Sequence, residues 1–467
     1  MTSTSDTVAI PDVGYIAPAN RGWQRRATTA LSPEACRNEA FAASALTALC
    51  VFSILNPILA QITSMFFSFS IGGLNIMQLF QGLCFLAVLI TLPRLSRIAN
   101  EVSRRFSRLL WTFLIALVLL HLRLCAAGRV PADMVMTERM VYFKIIFALL
   151  LWYYASCLVH SYESGQVLLR SVLLGAAISA VWILICYLAG LGGAHYETVG
   201  VKATAGSEGI SGKAMAGFLV PAAAGAMYLA VRQSASRWAL AAALIVAAVF
   251  VTFDRSAQVA AGAALLWVII WWLGFARPQR CSKTVVLFLC VLVIAGGVYY
   301  AQHGSEELIA RWMHDFDRGE IGSGRGTFYT TAARWFWNDS SLTDFLLGMG
   351  YGNIYDLMHA GSGVYRHTHS DLFDMLLIGG VAGLALYVLM FHAIVKTIGS
   401  VPRGSGAFAL LGAQLASFGV MSLLTGLMGF PHTMYAFGVQ CICIQVLATH
   451  EGTHLRRSPH FEQWQVS

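Results

Sequence analysis

The chain has 467 residues, of which 57% are hydrophobic and 12% are charged, and its formal net charge is +8. This balance excludes an ordinary soluble domain, in which about 25% of residues are charged. No motif that alternates basic and aromatic residues points to nucleic acid, so we attribute the excess positive charge to contact with anionic membrane lipid.

The first 40 residues, 1–40, are polar and include Pro11, Pro18 and Pro33. They have no apolar core of the kind found in a cleaved signal sequence. The sequence therefore predicts a cytoplasmic N-terminal tail, followed by a first helix that anchors the protein uncut.

Apolar stretches close to the roughly 20 residues that cross a bilayer recur along the rest of the chain. They predict an all-α polytopic membrane protein with twelve transmembrane helices. Nine of the helices fall within 41–301 and three within 371–449, and a cytoplasmic tail, 450–467, follows them. The predicted spans are 41–62, 73–92, 109–128, 140–160, 171–190, 214–231, 238–253, 257–275, 284–301, 371–395, 406–428 and 432–449.

Arginine and lysine predict the orientation, because short cytoplasmic loops carry an excess of both. In a twelve-helix arrangement the basic clusters fall on one side. They comprise Arg21, Arg25, Arg26, Arg94, Arg97, Arg104, Arg105, Arg108, Arg232, Arg237, Arg277, Arg280, Lys283, Lys396, Arg403, Arg456 and Arg457. Both termini are therefore predicted to be cytoplasmic.

Most of the ten cysteines lie inside predicted spans, and none lies in the long external segment. Cys441 and Cys443 superficially suggest a metal pair, but a helix turns these two side chains about 200° apart. We therefore predict that they pack in the core and that the protein has neither a metal site nor disulfides.

A segment of unusual length, 302–370, connects the ninth and tenth spans on the external side. Within it, Phe328, Thr331, Ala332 and Trp335 recur at helical spacing. This pattern predicts a short amphipathic helix on the membrane surface, with Trp335 and Trp337 at headgroup depth. The alternative is that the loop packs back on the helix bundle.

A polar cluster stands where this loop meets the tenth span, as Arg366-His367-Thr368-His369-Ser370-Asp371. Two histidines, a guanidinium and a carboxylate are thereby predicted at the membrane surface of a chain with few charges. Ionisable groups in such positions are costly and mark candidate functional sites. We expect the chemistry of the protein here, with Arg366 and Asp371 among the residues that bind substrate.

Further cations lie at predicted external helix ends, namely Arg255 beside Asp254, Lys202, Lys213 and Arg325. If the helices converge, these groups form one basic pocket with Arg366 and the histidines, and such a pocket suits an anionic headgroup such as pyrophosphate. For Arg255 the alternative is a salt bridge to Asp254 or a side chain that reaches to the membrane surface, and for each lysine it is an ordinary helix-end position.

Charges inside the predicted spans need a separate account. Arg123 and Lys144 lie near span ends, and we expect both side chains to reach outward to the membrane surface. Either of them could also join the basic pocket.

At this point the chain resembles the O-antigen ligase and polysaccharide polymerase superfamily of membrane glycosyltransferases, mainly over 200–390. The residues that carry the resemblance are Gly212-Lys213-Ala214-Met215-Ala216-Gly217-Phe218, Thr252-Phe253-Asp254-Arg255-Ser256, Gly324-Arg325 with Trp335, Leu347-Gly348-Met349-Gly350-Tyr351-Gly352, His369-Ser370-Asp371-Leu372 and Gly379-Gly380-Val381-Ala382-Gly383.

The resemblance implies a GT-C-like, all-helical fold whose periplasmic loop caps a cavity in the bacterial inner membrane. It implies a glycan on undecaprenyl pyrophosphate as donor, a sugar hydroxyl as acceptor, and neither nucleotide sugar nor metal nor other cofactor. Arg255, supported by Arg325, would bind the pyrophosphate. His369 would serve as base or position the acceptor, with His367 as the second candidate.

Elementary electrostatics is compatible with these roles. The positive end of the tenth helix would disfavour an imidazolium at His369, and a neutral histidine is a usable general base. Arginines would stabilise the charge of the leaving pyrophosphate. Ser370 or Asp371 is also a plausible N-cap, a role favoured for Ser370. A single displacement of this kind predicts inversion at the anomeric carbon.

Two enzymes of the superfamily differ in acceptor. A polymerase joins lipid-linked repeat units, in some systems beside a chain-length regulator, whereas a ligase moves the chain to lipid A-core. Lys202 and Lys213 stand where a ligase is expected to carry an arginine, so we favour the polymerase. The remaining class is a transporter or flippase, which would show repeated halves and broken helices.

Overall fold

The computed structural model describes residues 41, 44–48, 70–71, 74–75, 83, 86–91, 101–131, 134–159, 162–188, 212–233, 235–251, 255–274, 325–363, 368–427 and 431–457. The chain divides into two compact units, Met1–Phe41 and Ala42–Ser467, and the described strands and helices belong to the second. The N-terminal tail, the spans predicted at 41–62 and 284–301 for all or most of their length, and the residues Lys202, Arg366 and His367 lie outside the described residues.

The first described elements are two-residue strands, β1 (Ser70–Ile71) and β2 (Leu74–Asn75), which pair antiparallel. This pair was not predicted, and β2 lies inside the stretch 73–92 that was assigned wholly to a helix. The sequence between the strands, Gly72-Gly73, is a strong hairpin signal that the hydropathy pattern hid.

Twelve helices follow in the described part of the chain. The first six are α1 (Glu101–Ala126), α2 (Val135–Leu158), α3 (Tyr162–Leu188), α4 (Gly212–Gln233), α5 (Ser236–Val251) and α6 (Arg255–Gly274). The others are α7 (Arg325–Arg334), α8 (Leu342–Leu347), α9 (Tyr351–Ser362), α10 (Asp371–Ile398), α11 (Gly406–Thr425) and α12 (Pro431–Arg457).

Six of these helices contain stretches long and apolar enough to cross a membrane, and α4, α5 and α12 contain shorter apolar stretches. The chain is thus an all-α, multi-pass membrane protein apart from the short strand pair. The largest differences between described helices and predicted spans are at α1, which begins at Glu101, at α3, which begins at Tyr162, and at α12, which ends at Arg457. All three continue into polar sequence, because helical hydrogen bonding does not stop where hydropathy falls.

Close helix packing in the bundle relies on large aromatic groups set against glycines. Trp152 on α2 is fully buried, lies against Gly438 and donates its indole N–H to the carbonyl of Met434. Trp267 on α6 likewise lies against Gly412 on α11. Small residues let helix backbones approach closely in lipid, where no hydrophobic effect drives helices together.

A break at Gly380 divides α10 into two segments. Gly380 has φ 58° and ψ −145°, which is non-helical. The carbonyls of Leu377 and Ile378 instead accept hydrogen bonds from the amides of Met349 (2.8 Å) and Gly350 (3.2 Å). Irregular backbone inside a span is tolerated where protein groups satisfy it in this way.

The described half of the long loop, 325–363, packs back on the bundle, which was the alternative interpretation. Phe328 and Ala332 of α7 are buried as the helical spacing predicted, whereas Thr331 is half-buried. A π-helical turn, Trp335–Asp339, continues the helix and buries Trp335. Trp337 is 73% exposed. Its predicted position in the headgroups stays a prediction.

Candidate functional site

The starts of α6 and α7 meet through a side-chain contact. Arg325, the first residue of α7, donates from Nη1 to the Oγ of Ser256 at 3.3 Å. Ser256 is the second residue of α6 and directly follows Arg255. Because unsatisfied N–H groups and the positive end of the dipole lie at a helix start, two neighbouring starts favour an anion.

The start of α10 joins the same place. The rings of Phe328 and His369 have centroids 6.2 Å apart. One residue further along α7, Tyr329 stacks on Phe373 at 4.8 Å and donates its hydroxyl to the carbonyl of Leu423 at 3.3 Å. We call Ser256, Arg325, Phe328 and His369 the helix-start junction.

His369 occupies an unusual backbone conformation. Its φ is 59°, the only positive value for a non-glycine residue in the described part of the chain. This left-handed conformation costs an L-residue about 1–2 kcal/mol. Such strain persists where neighbouring groups impose it, and it accumulates at functional sites.

The groups that impose this conformation are Thr368 and Asp374. Asp374 Oδ1 accepts from the Thr368 amide at 3.0 Å and from its hydroxyl at 2.6 Å. The Thr368 hydroxyl oxygen in turn accepts from the Ser370 amide at 3.2 Å. Thr368 is fully buried and Asp374 is 8% exposed. His369 is therefore the tip of a turn tied on both sides.

Ser370 occupies the N-cap position of α10, as favoured from the sequence, but its side chain makes no capping hydrogen bond. Asp374, in the first turn, instead reaches back to the amide of Thr368. This bond differs from a capping box, because it starts at the fourth helical residue rather than the third and ends two residues before the N-cap.

Asp371, a predicted substrate-binding residue, is 1% exposed, and the hydroxyl of Ser422 donates to its carboxylate. Tyr387 lies 3.0 Å from the same serine hydroxyl. The Asp371 side chain therefore ties α10 to α11, and its contact with substrate stays a prediction.

The phenol of Tyr329 lies under the influence of both charged groups near the junction. Burial raises its pKa, the positive charge of Arg325 opposes that shift, and the negative charge of Asp374 adds to it. The net result is a pKa above the ordinary value, so Tyr329 stays a neutral hydrogen-bond donor. The charges of Arg325 and Asp374 thus have opposite effects on the pKa of Tyr329.

The other predicted site residues are placed only in part. Arg255 begins α6 and Lys213 is the second residue of α4, but their side chains are outside the description, as are Lys202, Arg366 and His367 entirely. The structure thus brings Arg325 and His369 to one junction. This junction lies at the N-terminal end of α6, whose first residue is Arg255.

A second polar cluster lies at the ends of α1 and α2. Glu138 is fully buried, its Oε1 lies 3.1 Å from His121 Nδ1, and its Oε2 accepts from the Gly352 amide at 3.1 Å. Arg139 donates from Nε to His121 Nε2 at 3.2 Å. These contacts attach the start of α9 to α1 and α2.

The expected outward reach of Arg123 is wrong. Its guanidinium donates to the carbonyl of Gly348 and lies 3.5 Å from the carboxylate of Asp344. Arg129 binds the same carboxylate through two bonds, of 2.6 and 3.0 Å. The two guanidinium groups thus share one carboxylate of the loop. We call His121, Arg123, Arg129, Glu138 and Asp344 the loop anchor.

The pKa of Asp344 reports the balance in this anchor. Burial raises the pKa, but hydrogen bonds from Arg129 and Ser341 and the charges of Arg129 and Arg123 outweigh burial. The carboxyl pKa is therefore held below its ordinary value. The hydrogen bond to Asp344 raises the pKa of Arg129 against the opposing effect of burial. The pair is thus ionised at neutral pH.

The cysteine pair lies away from both clusters. Cys441 and Cys443 on α12 are buried, and Cys441 Sγ lies 3.6 Å from Oε1 of Gln414. Among the described residues, no three histidine, cysteine or acidic side chains are placed to hold a metal ion. Independence from a metal stays a prediction.

Sequence reasoning did not identify Ser256, Thr368, Tyr329 or Asp374 as parts of the site. Asp374 carried no capping-box signal, because it follows Ser370 by four residues and the motif requires three. Tyr329 carried none, since its role depends on α7 packing against α10.

Two comparisons with known proteins bear on the chain. No curated protein matches the chain. Residues 240–388 match the model of the O-antigen ligase family, and this range includes every residue of the helix-start junction. This match, which covers about a third of the chain, supports a likeness to the O-antigen ligase and polysaccharide polymerase superfamily.

Proposed function

We propose that this protein is an inner-membrane glycosyltransferase that moves a glycan from undecaprenyl pyrophosphate to a sugar hydroxyl on the periplasmic side. The observation that carries the proposal is the helix-start junction, where Arg325 meets the start of α6 and His369 lies against α7. The match over 240–388 supports a glycosyltransferase-like enzyme with lipid-linked glycan substrates.

In the proposed reaction, the acceptor hydroxyl oxygen attacks the anomeric carbon of the donor glycan. His369 takes the hydroxyl proton as the new glycosidic bond forms. The bond between the anomeric carbon and the pyrophosphate oxygen breaks, and its electron pair leaves with undecaprenyl pyrophosphate. One displacement of this kind inverts the anomeric centre, and neither metal nor nucleotide sugar is required.

The proposed role of the arginines is to stabilise the negative charge that develops on the leaving pyrophosphate. Arg255 and Arg325 lie at the starts of α6 and α7, and guanidinium groups donate paired hydrogen bonds to phosphate oxygens. The converging dipoles add to the same effect. Lys202, Lys213 and Arg366 are proposed to extend this basic surface toward the glycan. Each such donor is worth on the order of 10²–10³ in rate when it is aligned with developing charge.

Two acceptors remain, each supported by one observation. Lysines rather than arginines around the start of α4 favour a polymerase, whose acceptor is a second lipid-linked repeat unit. The description of the matched family favours a ligase, whose acceptor is lipid A-core. We retain the polymerase as the first proposal, acting with or without a chain-length regulator, and the ligase as the second.

The break in α10 is a feature that transporters share, because their discontinuous helices bind cargo with freed backbone groups. Here the two freed carbonyls, those of Leu377 and Ile378, already accept hydrogen bonds from Met349 and Gly350. The break therefore serves to attach the loop, which favours an enzyme over a transporter.

The experiment is incubation of purified protein with undecaprenyl-pyrophosphate-linked repeat units, first alone and then with lipid A-core, with products resolved by size. A ladder from donor alone supports the polymerase, and a shift only with lipid A-core supports the ligase. If neither condition gives transfer, with wild type and His369→Ala alike, the proposed function is wrong.

A further inference from the structure

The turn that carries His369 is held by groups that the proposed reaction does not use. Thr368 is fully buried, and Asp374 is nearly so, one helical turn into α10. Neither needs to contact a substrate in order to act. What they share is a set of short hydrogen bonds on either side of the histidine.

We infer that Asp374 and Thr368 are positioning residues that hold His369 in its left-handed conformation and so aim its imidazole at the acceptor hydroxyl. The inference rests on the proposed function for the identity of the acceptor. The geometry on which it rests, the bonded turn and its positive φ, is independent of that function.

The hydrogen bonds explain why the turn requires both residues. Asp374 Oδ1 accepts from the amide and from the hydroxyl of Thr368, so one carboxylate oxygen fixes both the backbone and the side chain before His369. The hydroxyl oxygen then accepts the amide of Ser370, the residue after His369. Without the hydroxyl, the two flanks of the histidine lose their connection.

The strain of the turn makes this connection necessary. A histidine at φ 59° returns to a more favourable backbone region unless its neighbours prevent it. Because a misplacement of about 1 Å reduces a catalysed rate by about 100-fold, a relaxed turn would slow transfer without removing the imidazole.

The test compares Thr368→Val, which removes only the hydroxyl, with Thr368→Ser, which keeps it. We expect Thr368→Val to lower kcat by about 10- to 100-fold with little change in the KM of the lipid-linked donor. Thr368→Ser should restore most of kcat. Thr397→Val is the matched control, since Thr397 is buried near the other end of the same helix and bonds the carbonyl of Ala393.

Variants of Asp374 separate hydrogen bonding from charge. Asp374→Asn keeps an oxygen that accepts both Thr368 donors, whereas Asp374→Ala keeps none. Positioning predicts that the asparagine variant retains most of kcat and that the alanine variant loses it. Equal loss in both variants would contradict positioning by hydrogen bonds.

A measurement that needs no transfer assay separates this inference from the proposed function. The rate at which diethyl pyrocarbonate modifies His369, followed by mass spectrometry, should rise in Thr368→Val and stay at the wild-type value in Thr368→Ser. His359, exposed on α9, is the internal reference and should not change. An unchanged rate at His369 would overturn the inference, whether or not the protein transfers glycan.

Discussion

The helix-start junction and the loop anchor are both polar clusters at helix ends, yet the aspartates in or beside them have different partners. In the loop anchor, Asp344 is bound by Arg129 through two bonds and is also near Arg123. Beside the junction, hydroxyl and amide groups donate to Asp371 and Asp374. Charge alone therefore does not identify a site, and the type of partner is the better guide.

The backbones of the two regions differ as well. The loop anchor attaches α8 and α9 to α1 and α2 through bonds to carbonyl and amide groups. The junction instead holds a strained histidine at the meeting of three helix starts. The loop anchor is thus an arrangement that attaches the loop to the helices. The junction is an arrangement that can present a reactive side chain.

Substitution of His369 should have the largest effect on transfer. His369→Ala removes the proposed base, and a lost general base costs about 10²–10⁴-fold in rate. Initial rates with purified variants measure it. His367→Ala should cost less, and the reverse order would move the base by two residues.

Gly380→Ala should have the next largest effect, on folding as well as on activity. At φ 58° the new Cβ would lie 2.5 Å from the carbonyl oxygen of Phe345, so the strap formed by 348–350 would be displaced. We expect a loss of about 1–3 kcal/mol of stability, measured by thermal unfolding in detergent.

Gly262→Ala on α6 is the matched control, because nothing lies within 4 Å of the Cβ it would add. Alanine there should be neutral or slightly stabilising, since glycine weakens helix interiors by about 0.5–1 kcal/mol. Equal losses of stability in Gly380→Ala and Gly262→Ala would show that the contact between Gly380 and the strap does not contribute to stability.

The Asp344 pair should make stability depend on pH. The folded-state pKa lies below the ordinary value of 3.8, so the contribution is fully present above that value and is lost as pH falls through the folded pKa. The effect is roughly 1 kcal/mol, because the Arg129 side chain is 40% exposed.

Thermal unfolding of wild type and Asp344→Asn between pH 7 and about pH 3 measures this effect. The wild-type curve should fall more steeply with acid than the variant curve, and Asp356→Asn, at an exposed site on α9, serves as the control. Parallel curves for wild type and Asp344→Asn would show that the ion pair of Asp344 does not contribute to stability.

Replacement of Cys441 and Cys443 together should have the smallest effect. Both thiols are buried away from the junction, so transfer should stay within about twofold and stability should change by about 1 kcal/mol. Transfer assays and metal analysis of the purified variant provide the check. Loss of activity together with loss of a bound metal would overturn the packing interpretation.

Hydropathy predicted most of the described spans well, because an apolar stretch in a membrane satisfies its backbone hydrogen bonds by forming a helix. It could not predict the break at Gly380. A glycine pair in an apolar run reads as helix, and the break is stable only because Met349 and Gly350, remote in sequence, supply the missing donors.

The site was predicted through its charged and titratable members. Arg325 and His369 stood out because ions are rare in this chain. Ser256, Thr368 and Tyr329 did not, since ordinary hydroxyl residues gain their roles only from the contacts that folding creates. Arg123 was misjudged for the same reason, because its partner Asp344 lies far away in the sequence.

The most direct test of the assignment compares the two regions in one assay. Release of undecaprenyl pyrophosphate from the lipid-linked donor should be measured in a single turnover for wild type, Arg325→Ala and Arg129→Ala, all purified as monodisperse protein. We expect Arg325→Ala to slow release by at least about 100-fold, while Arg129→Ala lowers the unfolding temperature but keeps near-normal release. Normal release by Arg325→Ala, with loss in Arg129→Ala, would contradict the assignment of the site to the helix-start junction.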